Sequence, residues 1–214
     1  MKVLPVVTLE GEAVRLEPLA PGHAPALWAA TGGGSATFGL TSVPKSLAEA
    51  EQYVAKALEM HAAGDALPFA TVDKRSGEVV GSTRFFAVER WAWPEGSPLK
   101  RPSGIDALEI GYTWLAEKAQ RTAINTEAKL LMLTHAFEVW RVRRVNLKTD
   151  VRNARSRGAI ERLGAKLDGL LRANMPAFDG GVRDSALYSI LEAEWPQVKA
   201  GLEAKRARAR TTSR

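Results

Sequence analysis

The chain has 214 residues, of which 45% are hydrophobic, and a formal net charge of +6. These values fit one globular domain and exclude a fibrous or disordered chain, and no stretch approaches the roughly 20 apolar residues that cross a bilayer. The chain has no cysteine, which excludes disulfides and thiolate metal sites, and its three histidines (His23, His61 and His135) lack the spacing of metal ligands. We therefore expect a soluble, cytoplasmic protein that binds no metal.

The first half of the chain predicts a strand, two helices and a β-hairpin. Val14 and Leu16 alternate with charged residues, as in a half-buried strand, and Ser46 and Glu49 have the spacing of a capping box. The predicted elements are a strand over Glu12–Leu19, a helix over Gly22–Ala30, a flexible turn over Thr31–Ser35, a helix from Ser46 to about Ala63, and strands over Pro68–Asp73 and Val79–Val88. The segment Lys74–Gly77 is predicted to be the hairpin turn.

The second half alternates strands and helices after a loop rich in proline and glycine. The predicted elements are a loop over Trp91–Gly104, a strand over Leu108–Leu115, a helix from about Asn125 to Trp140, a strand through Val145, Leu147 and Thr149, a helix over Asn153–Leu163, strands over Leu167–Arg172 and Ser185–Leu191, and a helix over Glu192–Ala209. This order predicts one α/β domain, a mixed sheet with helices on both faces.

The most informative unit is the strand, polar turn and helix over Leu108–Trp140. The turn, Gln120–Asn125, comes where the helix begins. Free backbone N–H groups and the positive end of the helix dipole make such a place a natural site for an anion. A ligand that carries phosphate would then lie beside the end of the strand. A capped helix start without a ligand is the alternative.

Seven short motifs occur in the order and spacing of one known family. They are EAVRLEPL at 12–19, GSTRFF at 81–86, LEIGYTWL at 108–115, NTEAKLL at 125–131, HAFE at 135–138, NARS at 153–156 and LGA at 163–165. On these residues the chain resembles the GNAT acetyltransferase superfamily, and most of all the branch of the ribosomal-protein N-terminal acetyltransferases of the RimJ/RimL kind. The resemblance covers residues 8–203, which we expect to form a single acetyltransferase domain, with 204–214 as a basic C-terminal tail.

The resemblance implies a GNAT-like acyl-CoA N-acyltransferase fold, α/β (α+β), whose mixed, mostly antiparallel sheet is flanked by helices. It implies acetyl-CoA as co-substrate, with the pantetheine arm on a strand that splays from its neighbour. The cofactor-binding residues that it implies are Thr113, Trp114 and Leu115 on that strand, Gln120, Arg121, Thr122, Ala123, Ile124, Asn125 and Thr126 in the turn that cradles the pyrophosphate, and Asn153 and Ser156 on the next helix.

The turn departs from the family pattern, Q/R-x-x-G-x-G/A, because both glycines are missing. Arg121 and Ala123 stand at those positions. Glycine tolerates a positive φ and lets a phosphate approach closely. We expect alanine to fit if its φ is negative, and Arg121 to add a charge-assisted contact to phosphate.

Two residues are the candidates for catalysis. Glu109 is the candidate base; it alternates with Leu108 and Ile110 and is predicted to share a face with Gly111 and Thr113. Its alternative role is structural, paired with an arginine such as Arg84. Many members of the superfamily use a tyrosine as the acid, at a position that corresponds to Ile160 here.

Ser156 matches the serine of the N-x-x-S pattern in the RimL-like branch. The resemblance therefore implies Ser156 as the donor to the leaving thiolate, with a capping hydroxyl as its alternative role and Tyr188 as a second candidate donor. Asn153 is a CoA contact or a plain N-cap, and both roles are compatible. His135 is predicted to pack inside its helix. Trp91 and Trp93 either wall an acceptor pocket or anchor their loop.

The implied function is transfer of an acetyl group from acetyl-CoA to a primary amine, with an N-terminal α-amine of a protein or peptide as the leading acceptor. The alternatives are a small-molecule amine such as a polyamine or aminoglycoside, a catalytically silent acyl-CoA sensor, or a protein associated with nucleic acid. The last rests on the final ten residues, which carry five positive charges and leave the body at about +1. A solvated tail is the simpler interpretation, contact with RNA or the ribosome the sharper one, and a homodimer is a further expectation.

Overall fold

A computed structural model describes residues 3–33 and 38–212, with the side chains of the last helix described as far as Arg208. Its strands are β1 (Leu9–Glu10), β2 (Val14–Pro18), β3 (Ala66–Asp73), β4 (Val79–Glu89), β5 (Ala107–Leu115), β6 (Arg144–Asp150), β7 (Lys166–Pro176) and β8 (Val182–Leu191). Its α-helices are α1 (Ala24–Ala30), α2 (Leu47–Ala62), α3 (Ala123–Thr134), α4 (Ala154–Leu163) and α5 (Trp195–Thr212). A π-helical turn, His135–Val139, continues α3.

The described strands form one mixed sheet in the order β1-β2-β3-β4-β5-β6-β8-β7. Every neighbouring pair is antiparallel except β5 and β6, which are parallel. The predicted fold class, a mostly antiparallel sheet flanked by helices, is confirmed. A parallel pair needs a crossover, and α3 with its π-helical turn supplies it here.

Two hydrophobic cores cover the two faces of the sheet. The larger core packs α3, α4 and α5 against one face and contains Leu108, Leu133 and Leu202. The smaller core packs α1 and α2 against the other face and contains Leu27 and Val54. Below, these are called the α3 face and the α2 face. Side chains of successive strand residues point to opposite faces, so the face of a residue decides which helices it contacts.

The predicted boundaries agree with the structure to within a few residues, with three differences. The strand β1 has only two residues and was not predicted. Helix α3 begins at Ala123 and not near Asn125. Ser46 caps α2 by accepting from the N–H of Glu49 at 3.1 Å, but the Glu49 carboxylate reaches back to the N–H of Lys45 at 2.9 Å, one residue before the cap. Gly34 and Ser35 of the predicted turn lie outside the described residues.

The basic C-terminal segment continues α5, which extends to Thr212. Its Arg206 lies 3.5 Å from the carboxylate of Glu127, a residue of α3 that is 1% exposed. The same carboxylate accepts from the N–H groups of Glu12, Ala13 and Val14 at 2.6–3.0 Å. Glu127 therefore ties α3 and α5 to the start of β2. Among the described helices, none is both long enough and apolar enough to cross a membrane.

Candidate functional site

The site begins where β5 and β6 separate. The two parallel strands pair only from Ala107 with Arg144 to Glu109 with Asn146. Beyond Glu109, β5 continues to Leu115 along β4, without β6 on its other side. The expected splay of this strand is confirmed. Its free edge offers backbone N–H and C=O groups to an extended ligand.

A β-bulge lies in the splayed part of β5. The register with β4 changes from Arg84 opposite Gly111 to Ser82 opposite Trp114, so that two residues of β5, Tyr112 and Thr113, stand opposite Thr83 alone. Tyr112 has a φ of +50°, which is uncommon for a residue other than glycine. The bulge bends the strand at the point where it leaves β6.

The bulge also reverses the alternation of faces in β5. Leu108 and Ile110 lie in the core of the α3 face, and the Thr113 hydroxyl also contacts α3. Trp114 packs instead in the smaller core, against Phe38. The prediction that Thr113 shares a face with Glu109 and Gly111 is therefore wrong, because the extra residue of the bulge shifts the period by one.

Glu109 is a buried carboxylate at the point of separation. The residue is 9% exposed, and Lys148 of β6 lies 3.7 Å from its Oε2 atom. Burial raises the pKa of Glu109 above its usual value, and the positive charges of Lys148 and Arg183 act against that shift. Arg84, the expected alternative partner, does not pair with Glu109, because its guanidinium lies over the rings of Tyr53 and Tyr112.

The turn before α3 shows why one missing glycine matters more than the other. Arg121 has a φ of +60°, in the left-handed region that glycine adopts most readily. Ala123 is the first residue of α3, and its φ is not positive. Alanine therefore fits its position without strain, as expected. The conformational strain falls on Arg121, at a cost of about 1–2 kcal/mol.

The helix start itself is capped and still presents amide groups. The Thr122 hydroxyl accepts from the N–H of Ile124 at 3.3 Å and donates to the carbonyl of Ala119 at 2.8 Å. The N–H groups of Arg121 and Thr122 donate to no atom within residues 3–33 and 38–208. Asn125 and Thr126 follow in the first turn and are half-buried. The turn thus has the donors that an anion requires.

Gln120 connects this turn to β5 and to α4. Its Nε2 atom donates to the carbonyl of Leu115 at 2.9 Å, and its Oε1 atom accepts from Arg155 at 3.1 Å. Both polar atoms of the side chain therefore have protein partners. The contact with Arg155 places the start of α4 beside the turn.

The start of α4 holds the other two candidates. Asn153 caps the helix, because its Oδ1 atom accepts from the N–H of Ser156 at 3.0 Å. Its Nδ2 atom and the Ser156 hydroxyl have no hydrogen-bond partner in the described part of the chain. The capping role of Asn153 is confirmed, and two polar groups at this helix start are free for a ligand.

Tyr188 does not join this cluster. The residue is 1% exposed, and its hydroxyl donates to Glu161 at 2.9 Å and accepts from Arg157 at 3.1 Å. Both partners belong to α4. The hydroxyl of Tyr188 is therefore engaged with α4, and these contacts favour Ser156 over Tyr188 as the candidate acid.

The aromatic residues of the long loop anchor it. Trp93 donates to the Asp106 carboxylate at 2.8 Å, and the Arg143 guanidinium lies 4.7 Å from the centre of its ring. Trp91 donates to Glu89 at 2.9 Å and keeps 40% of its surface exposed. The contacts favour the anchoring interpretation for Trp93 and leave Trp91 with an open face.

Two residues near the site were not expected from the sequence. Lys148 lies beside Glu109, and Lys129 of α3 donates to Thr113 at 2.6 Å and to Thr83 at 2.9 Å. From the sequence alone, both would be taken for solvent-exposed lysines of an amphipathic helix or strand. His135, by contrast, packs as predicted, 4.5 Å from the ring centre of Trp140, and its burial lowers its pKa.

The family comparison agrees with this geometry. Residues 13–166 match the family model described as the acetyltransferase (GNAT) domain. The chain belongs to the GNAT acetyltransferase family. The family comprises N-acetyltransferases that use acetyl-CoA, so the chain is an acyl-CoA-dependent N-acetyltransferase by family.

Two solved structures are similar to this one. A GCN5-related N-acetyltransferase from Brucella melitensis has a TM-score of 0.78 at 30% identity, and the match covers 95% of this chain and 86% of that one. Mycobacterium smegmatis RimJ, solved with CoA-disulfide, has a TM-score of 0.73 at 22% identity, with 95% and 93% covered, and shows the fold alone.

The curated relative YdaF of Bacillus subtilis, provisionally named a ribosomal N-acetyltransferase, is 36% identical over 87 residues. The match spans 41% of this chain and about half (46%) of YdaF.

Proposed function

We propose that the chain transfers the acetyl group of acetyl-CoA to the α-amine of a peptide or protein N-terminus, by direct attack in a ternary complex. The observation that carries this proposal is the buried carboxylate of Glu109 at the point where β5 and β6 separate. It puts a group able to accept a proton next to a free strand edge.

In this proposal the co-substrate follows the splayed strand and the turn. The free edge of β5 around Thr113, Trp114 and Leu115 pairs with the pantetheine amides. The N–H groups of the turn 120–126 and the Arg121 guanidinium hold the pyrophosphate. Asn153 adds its free Nδ2 donor from α4. Within this turn, the N–H groups of Arg121 and Thr122 have no acceptor in the described part of the chain.

The chemistry requires a neutral amine. An α-amine has a pKa near 8 and a lysine side chain one near 10.4, so the α-amine is about 3 kcal/mol easier to deprotonate. Glu109, whose pKa is raised by burial, is a better base at neutral pH than an exposed carboxylate. The amine nitrogen then bonds to the thioester carbon while Glu109 takes its proton, directly or through a water.

The remaining steps use the strand edge and α4. A free N–H of β5 stabilises the negative charge that develops on the thioester oxygen. The carbon–sulfur bond then breaks, and the thiolate takes a proton from the Ser156 hydroxyl, which is half-buried and has no hydrogen-bond partner among the described residues. Ser156 regains its proton from solvent.

The charges around Glu109 favour a peptide over a polycation. Lys148 and Arg183 both act on this carboxylate. A polyamine or an aminoglycoside would bring several positive charges against these two, whereas a peptide N-terminus brings one and loses it before attack. The provisional name of the relative YdaF, a ribosomal N-acetyltransferase, supports the same acceptor class.

An acceptor panel tests the proposal. Thiol release from acetyl-CoA is measured with a set of short peptides, with the same peptides blocked at the N-terminus but carrying a lysine, and with spermidine and an aminoglycoside. We expect release and an N-terminal acetyl group, located by mass spectrometry, only with free α-amines. A preference for spermidine, or stabilisation by CoA with no thiol release from any amine, would contradict it.

A further inference from the structure

A lysine is buried beneath the bulge of β5 without a carboxylate to balance it. Lys129 is 4% exposed, and its Nζ atom forms no ion pair within the described residues. Its two acceptors are the hydroxyls of Thr83 and Thr113, at 2.9 and 2.6 Å. Burial among these neutral groups lowers the pKa of Lys129 to about 7.

The two acceptors belong to the two sides of the bulge. Thr113 is one of the pair of β5 residues that stand opposite a single residue of β4, and Thr83 is that single residue. The two hydroxyls also lie 2.8 Å from each other. The amine of Lys129 therefore closes a three-membered network across the irregular part of the β4–β5 ladder, where regular backbone pairing is interrupted.

This arrangement is not what fold stability alone favours. Removing an amine from water without a counter-charge costs free energy, and an unbranched apolar side chain of the same length would fill the space without that cost. Met132, three residues further along α3 and fully buried, shows that a long flexible side chain fits this region of the core. We therefore expect Lys129 to have a role other than stabilising the fold by burial of its side chain.

We propose that Lys129 is a positioning residue for the acetyl transfer. By bonding both sides of the bulge, it fixes the direction in which β5 leaves β6 and therefore the distance between the free strand edge and Glu109. This inference rests on the proposed placement of the co-substrate along β5. Lys129 itself touches no reacting atom, since α3 lies on the face of the sheet opposite to Glu109.

The test compares Lys129→Met with the wild type in three measurements. Hydrogen exchange of the free protein over residues 108–116 reports the bulge directly, calorimetry reports the dissociation constant for CoA, and thiol release reports turnover. Lys56→Met, which removes an exposed lysine of α2, is the matched control and is expected to leave all three unchanged.

The expected result for Lys129→Met is faster exchange across the bulge and an unchanged or higher Tm. CoA binding is expected to weaken about tenfold. Turnover is expected to fall by up to about a hundredfold, as for a misplacement of about 1 Å. Loss of function together with undiminished stability is the signature that a purely structural lysine would not give.

Three outcomes decide the inference. Exchange, CoA affinity and turnover within twofold of the wild type would overturn it. If Lys129→Met does not fold, Thr83→Val is measured in its place, because this variant keeps the lysine and removes one of its two acceptors. If neither variant folds, the network is required for folding, and the positioning role is overturned. If the wild type releases no thiol and binds no CoA, the proposed function fails, while the exchange data still test whether Lys129 holds the bulge.

Discussion

The guanidinium carbon of Arg84 lies 4.0 Å from the centre of the Tyr112 ring. Arg84 is 2% exposed, and its guanidinium carbon also lies 5.0 Å from the centre of the Tyr53 ring. Because Tyr112 holds the positive φ of the bulge, this contact secures the irregular strand from the α2 face. Lys129 contacts it from the α3 face, so that two buried basic side chains hold one bend.

Replacing the ring of Tyr112 tests the contact on the α2 face. We expect Tyr112→Leu to lower the free energy of unfolding by about 1–2 kcal/mol, since it loses the cation–π contact and the edge contact with Phe86. Tyr112→Phe keeps both and serves as the control, with a loss below about 0.5 kcal/mol. Urea unfolding measures the difference. Equal stability of the two variants would show that the ring contributes nothing.

The role of Glu109 is tested by Glu109→Gln, which keeps the shape of the side chain and removes the base. We expect turnover at saturating acetyl-CoA to fall by about 10²–10⁴-fold, with CoA affinity unchanged. The wild-type rate should rise with pH as the carboxyl, whose raised pKa follows from burial, loses its proton, and this limb should disappear in the variant. Unaltered turnover of Glu109→Gln would exclude Glu109 as the base.

The strain at Arg121 predicts a stabilising substitution. Arg121→Gly should raise the free energy of unfolding by about 1 kcal/mol, because glycine adopts the observed φ of +60° without a Cβ clash. Arg121→Ala removes the same charge and keeps the Cβ atom, so it should bring no such gain. Urea unfolding of the pair separates conformation from charge. An equal gain in stability for the glycine and alanine variants would show that the gain comes from removing the guanidinium and not from the backbone conformation.

Lys129 predicts a pH dependence of stability. Its pKa is about 7 in the folded protein against an ordinary value of 10.5, so between these values the unfolded chain binds the proton and the folded chain does not. Stability therefore rises with pH across this window, by at most about 1.4 kcal/mol per pH unit. In urea unfolding, we expect the free energy of unfolding of the wild type to rise relative to that of Lys129→Met between pH 7 and 9. Parallel pH profiles for the two proteins would contradict the low pKa.

The sequence predicts the regular elements well and the irregular ones poorly. Alternation of Val14 and Leu16, or of Val145 and Leu147, identifies strands because one face of each is buried. The role of Asn153 as an N-cap follows from residue type alone. These features depend on interactions within a few residues of the chain.

The bulge at Tyr112 and Thr113 could not be predicted in this way. The bulge depends on the register between β4 and β5. In this register Gly81 lies so close to β5 that a Cβ atom on residue 81 would be 2.1 Å from the carbonyl oxygen of Trp114. The faces of all later residues in the strand depend on it. The same holds for Lys129, whose burial is decided by Thr83 and Thr113, 46 and 16 positions away in the chain.

The side chain of Gln120 bridges the end of β5 and the start of α4. One amide group holds the carbonyl at the end of β5 and the Arg155 side chain at the start of α4. A tilt of α4 away from the turn would therefore break the hydrogen bond between Gln120 and Arg155. An asparagine at this position would be too short by one methylene to span both contacts. A single glutamine side chain thus links the strand proposed to bind pantetheine to the helix that carries the proposed contacts Asn153 and Ser156.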